Sequence, residues 1–170
     1  MMGISVAERY ERIKKWLYEY DKFVVNERED NNFHFSFYIW DKGGKTAIIP
    51  IIIAYLKECQ KNGQRILIGW GWELDLKSDL VRDVLNDSDK KSRFVSSLKN
   101  VIDPDIYILN FIPDERELKS IKLSRIYPID RLNKVILFNE IIQVMLQYGN
   151  VILHLELKSG RPTSINKFRR

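Results

Sequence analysis

The stretch IYILNFIPDERELKSIKLSRI, residues 106–126, decides the fold. Two runs rich in β-branched and aromatic residues, Ile106 to Ile112 and Leu118 to Ile126, flank Pro113-Asp114-Glu115-Arg116, which is turn chemistry. The segment reads as a β-hairpin. A helical stretch from Ser88 to Ile102 ends just before it at Asp103-Pro104, because the residue preceding a proline is pushed out of the helical region. Just after it, Asp130 is placed to cap a long, largely apolar helix reaching Tyr148. An antiparallel hairpin set between helices argues for an α+β fold over a doubly wound parallel sheet.

Working toward the N-terminus, Ile66, Ile68, Trp70, Trp72, Leu74 and Leu76 alternate with Gly69, Gly71 and Glu73, the two-residue period of a strand. A shorter helical stretch, Ser78 to Leu85, follows it. Phe33, Phe35, Phe37 and Ile39 alternate with His34, Ser36, Tyr38 and Trp40, and with Phe23 to Glu27 they form a first hairpin. Ahead of that hairpin, Ser5 and Glu8 have the spacing of a capping box. A helix is expected from Val6 to Tyr20, its apolar stripe running Val6, Tyr10, Ile13, Leu17, Tyr20. Residues 46–62 carry conflicting signals. The run Ile48 to Ile53 favours a strand, whereas Pro50 and Asn62-Gly63 suit the start and end of a helix that would use Tyr55, Leu56 and Cys59. The expectation there is a short strand leading into a helix.

Toward the C-terminus, Gly149 suits the left-handed position that ends a helix, and Val151 to Leu157 reads as a final strand. The whole forms one expected domain, residues 1–158: an antiparallel sheet of hairpins packed against an N-terminal helix and a long C-terminal helix. Residues 159–170 are expected to form a mobile basic tail. Five of the chain's 28 basic residues, Lys158, Arg161, Lys167, Arg169 and Arg170, lie in its last thirteen positions, so the remaining 23 balance the 23 acids.

At 170 residues and 45% hydrophobic composition, the chain is long enough for a substantial core and short for two domains. Its one cysteine, Cys59, has no internal disulfide partner, and Met1-Met2-Gly3 lacks the pattern of a signal peptide, so a cytoplasmic location is expected. The longest apolar run, Ala47 to Leu56, is about half the roughly twenty residues of a membrane span. No membrane partner is expected. The isoleucine-rich, highly charged composition resembles that of proteins from hot environments.

Catalytic chemistry has little to stand on. His34, Cys59 and His154 are too few and too scattered for a zinc site. Gly69-x-Gly71 lacks the third glycine and following helix of a dinucleotide loop, so no cofactor is expected. Pro104-Asp105 followed by Glu117-Leu118-Lys119 resembles the signature of a large metal-dependent nuclease superfamily. That resemblance implies that Asp105 and Glu117 would hold Mg²⁺ while Lys119 positions the attacking water. The hairpin register opposes it by placing Asp105 far from the turn and Glu117 beside it. A second triplet, Glu156-Leu157-Lys158, closes the expected final strand. Trp70 and Trp72 could stack bases, but the aliphatic residues on their face favour a core role. The five basic residues from Lys158 to Arg170 are candidate nucleic-acid contacts.

The succession of helix, hairpin, strand, helix, hairpin and helix over residues 5–148 resembles the element order of type III secretion chaperones and their relatives, which include archaeal domain families of unknown function. Phe33-His34-Phe35-Ser36-Phe37, Ile106-Tyr107-Ile108 and the final apolar helix carry the likeness. The resemblance implies a dimerising α+β module that binds extended protein segments, with no catalytic residues to carry over. Residues 46–62 and the final strand and tail depart from that order. In the long helix, Leu132, Val135, Ile136, Leu137, Phe138, Ile141, Ile142, Val144, Met145 and Leu146 cover more than the roughly 100° that a single core contact needs. Self-association and an unidentified protein partner are therefore expected, with nucleic-acid binding through the tail or nuclease activity as alternatives.

Overall fold

A computed structural model describes residues 6–19, 23–28, 34–40, 46–56 and 65–160. The elements are α1 (Val6–Tyr18), β1 (Phe23–Arg28), β2 (His34–Trp40), β3 (Thr46–Leu56), β4 (Arg65–Glu73), α2 (Asp79–Leu85), α3 (Ser88–Val101), β5 (Ile108–Ile112), β6 (Ser120–Pro128) and α4 (Lys134–Ser159). The fold is α+β, with an N-terminal helix, a long C-terminal helix and strands ordered β1-β2-β3-β4-β6-β5. The pairings β1–β2, β2–β3, β3–β4 and β5–β6 are antiparallel. The chain clusters into two compact units, Met1–Trp70 with Ile126–Ile142 and Gly71–Arg125 with Gln143–Arg170.

In the first unit, Ile13 and Leu17 of α1 are buried one helical turn apart, as the expected stripe requires, whereas Tyr18 is exposed. Ser5 and Tyr20 lie outside the described residues. The conflict over residues 46–62 resolves toward β structure. β3 is an eleven-residue strand that includes Tyr55 and Leu56, so the helix expected to begin near Pro50 is not formed over those positions. The proline is accommodated by an irregularity. The β2–β3 register shifts between the pairs Phe37↔Ile51 and Ile39↔Ala47, which bracket Pro50, and the β3–β4 pairing begins at Ile51↔Trp70, just after it. A bulge spares the ladder the N–H that proline lacks, and the β-branched run on either side then dominates. Residues 57–64 lie outside the described part of the chain. Ile51, Ile53, Ile66, Ile68 and Trp70 form the buried positions of β3 and β4, so Trp70 is a core residue.

In the second unit, α3 begins as its sequence dictates. The Asp87 carboxylate accepts the backbone N–H groups of Asp89 and Lys90 at 3.0 Å each, and Phe94, Val95 and Leu98 fill its buried side. The β5–β6 hairpin pairs Ile108↔Ser124 through Ile112↔Ser120 across a cis Ile112–Pro113 bond. Its turn is tightened by Asp114, whose carboxylate accepts the N–H groups of Arg116 at 2.7 Å and Glu117 at 2.9 Å. These two bonds, that of Glu117 first, hold the Asp114 carboxyl below its ordinary range. Trp72 is half-buried, with the Tyr148 ring edge-on to it at 5.7 Å. The strand expected to reach Leu76 ends at Glu73, and Leu76 is exposed in the turn that follows.

Two expectations near the C-terminus are corrected. Asp130 does not cap the long helix; it lies in a single 3-10 turn, Ile129–Arg131, where it pairs with Arg9. The cap is Asn133, whose Oδ1 accepts the Ile136 N–H at 3.0 Å. No strand forms at 151–157 either. α4 runs for 26 residues through Gly149 to Ser159 and ends at Gly160, which has φ +76°. The alternation within Val151–Leu157 is overridden because the burial of Leu137, Ile141, Val144, Val151 and Leu155 keeps helical spacing straight across Gly149. Residues 161–170, with most of the expected tail, lie outside the described residues.

Candidate interaction surface

The surplus apolar residues of α4 form a face of their own. At 100° per residue, Val135, Ile142, Leu146, Gly149, Leu153 and Leu157 fall within an arc of about 80°, which also carries the exposed Asn139 at its edge. Val135, Ile142, Leu146 and Leu157 are 67%, 50%, 57% and 53% exposed. The fully buried Leu137, Ile141, Val144, Val151 and Leu155 occupy the diametrically opposite arc. From Val135 to Leu155 the only formal charge is Glu140, which is buried. The outer face over that span therefore offers no fixed charge to solvent or to a partner. Large apolar side chains aligned along several turns and left in contact with water mark an interaction site more often than an accident of sequence. α4 is also long and apolar enough to cross a membrane by length and composition. Its fully buried inner arc is what a helix packed in a protein core displays. A smaller apolar patch, Val101, Ile106 and Ile108, is exposed where α3 ends and β5 begins.

The nuclease residues are not brought together. Asp105 sits in a turn three positions before Ile108, and Glu117 sits three positions before Ser120. Because Ile108 pairs with Ser124 while Ser120 pairs with Ile112, the two acids lie beyond opposite ends of the β5–β6 ladder. Four strand steps at about 3.3 Å separate those ends before either turn is added, several times the reach of one ion. Among the described residues there is no group of three or more His, Cys, Asp or Glu side chains able to hold a metal. Glu117 and Lys119 do share an open cavity of about 310 Å³, together with Leu74, Leu76, Leu85, Asn86, Lys91, Arg116 and Leu118. Asp105 is not part of it. The Lys91 ammonium donates to the Arg116 carbonyl at 2.6 Å, which ties α3 to the hairpin turn.

Of the tail cations, only Lys158 lies among the described residues, one turn beyond His154 near the end of α4. Glu156-Leu157-Lys158 is helical, so these side chains project at helical angles and cannot form the strand-borne triplet that the sequence suggested. His154 Nδ1 is buried and has no hydrogen-bond partner among the described residues. Burial first, and the Lys158 charge second, lower the pKa of its imidazole below the ordinary value. The side chain of His34 lies outside the described residues.

No protein-family model matches the chain, and no curated protein matches it. Among solved structures, the chain is similar to an uncharacterized protein from Methanothermobacter thermautotrophicus, with a TM-score of 0.68 and 21% identity over 89% of this chain and 99% of that one. At that identity the likeness is one of fold.

Proposed function

We propose that this chain is a non-enzymatic interaction module of chaperone-like type that self-associates through the outer face of α4. The observation that carries the reading is the aligned exposure of Val135, Ile142, Leu146 and Leu157 on a helix whose opposite side is fully buried. A second copy presents the same uncharged, largely apolar stripe, so pairing buries both without desolvating a formal charge along most of its length. The chaperone-like element order supports the same reading, since such modules dimerise.

Light scattering and sedimentation across a micromolar concentration series test it. A dimer is expected for the native chain, and Leu146→Glu should give a folded monomer, because each copy would bring a carboxylate into the contact. A native chain that stays monomeric throughout the series overturns the reading. So does a monomer that partitions onto phosphatidylcholine vesicles, because the face would then be answering lipid.

A further inference from the structure

We propose that two copies of α4 meet antiparallel, crossing at Gly149 on a two-fold axis. The inference rests on the self-association reading and assigns its geometry.

Gly149 is the anomalous residue of the helix. It lies ten residues before the end of α4 and lacks the positive φ that glycine is used to supply; that belongs to Gly160. A Cβ built at Gly149 would meet nothing within 4 Å, so this chain's own packing gives no reason for a side chain to be missing there. A glycine inside a helix is less favourable than alanine by about 1 kcal/mol. It also sits on the outer stripe between Leu146 and Leu153. A missing side chain along an exposed apolar face allows a second helix backbone to approach closely, with flanking large residues packing on either side.

The residues around it fix the direction. Ile142, Met145 and Leu146 stand at −7, −4 and −3 from Gly149, and Ile152, Leu153 and Leu157 stand at +3, +4 and +8. The pattern reads nearly the same in both directions. Reversing one helix about Gly149 therefore sets Leu146 against Ile152 and Met145 against Leu153, and it brings Ile142 beside Glu156 and Leu157 of the other copy, so that no two carboxylates meet. Parallel pairing would instead place Glu156 of one copy beside Glu156 of the other. It would also set the two helix dipoles side by side with like ends together, which antiparallel pairing avoids.

The test uses the full chain with Cys59→Ser as background and two single-cysteine variants, Gly149→Cys and Val135→Cys, under mild oxidation. Within the single chain a Cβ at position 149 meets nothing within 4 Å, so the substitution displaces none of its own packing, and circular dichroism checks the helix content of each variant. The expected result is near-complete disulfide-linked dimer for Gly149→Cys and none for Val135→Cys. In the antiparallel arrangement the two copies of position 135 lie roughly 40 Å apart at 1.5 Å per residue. Cross-linking of both variants indicates parallel pairing and overturns the geometry. A dimer by light scattering in which Gly149→Cys does not cross-link overturns it too, while leaving self-association standing. A background chain that is monomeric removes the self-association reading and this inference with it.

Discussion

The two faces of α4 are made of the same kinds of residue and have opposite fates. Leu137, Ile141, Val144, Val151 and Leu155 are fully buried, while Val135, Ile142, Leu146 and Leu157 keep half or more of their surface in water. Nothing in the side chains themselves separates the two sets. The difference lies in angular position alone, and it means that apolar character along a helix reports the total area to be covered but not which part the chain covers by itself.

Truncation is the strongest way to break the comparison. Ile141→Ala should cost about 2–5 kcal/mol in urea unfolding, the usual range for emptying a filled core site. Leu146→Ala at a concentration too low for association should fall within about 0.5 kcal/mol of the native chain. Equal losses for the two would mean that the outer face is covered within the chain.

Gly149 inside α4 and Gly160 just past its end sharpen the contrast on the backbone. Gly149→Ala is expected to raise monomer stability by up to about 1 kcal/mol, since the helix gains propensity and nothing is displaced. Gly160→Ala is expected to lower it by about 1 kcal/mol, because an L side chain resists φ +76°. Thermal melts of both variants check the opposite signs. At the other end of the helix, Asn133→Ala should cost about 1 kcal/mol by removing the cap. Asp130→Ala should cost less than that, because it breaks only a solvent-exposed pair with Arg9. A larger loss for Asp130→Ala would restore it as the helix cap.

The smallest expected effect concerns pH. The imidazole pKa of His154 is lowered in the folded state, so at pH 7.5 the ring is neutral in folded and unfolded chains alike and adds nothing to a pH slope. As pH falls below about 6.5, the unfolded chain takes up the proton first and Tm declines. His154→Gln removes that contribution, so the Tm difference between variant and native chain should change between pH 7.5 and 5.5. A pH-independent difference would show that burial of Nδ1 does not govern the titration.

The 106–126 hairpin, the α2–α3 pair and the buried stripe of α1 were legible because each is specified by its own residues: a turn with Asp114, a helix stop at Asp103-Pro104, and Ile13 and Leu17 one turn apart. Where the sequence misled, competing local signals were nearly balanced. Pro50 argued against a strand until a register shift absorbed it, and Gly149 argued for a helix end until burial on both sides of it continued the helix. Val151–Leu157 alternates well enough for a strand, yet Val151 and Leu155 continue a helical stripe that begins at Leu137. The nuclease triad was a matter of spacing along the chain, and the hairpin register sets its two acids at opposite ends.

By itself, then, the sequence determined the α+β class, the order of most elements, the balanced charge of residues 1–157 and the excess of apolar surface in the last helix. These follow from periodicity, turn chemistry and composition, which act over a few residues at a time. Only the tertiary structure decided that β3 persists past Pro50, that one helix spans 134–159, and which side of it is left exposed. Those outcomes depend on burial summed over distant segments, a free energy that no local stretch of the chain contains.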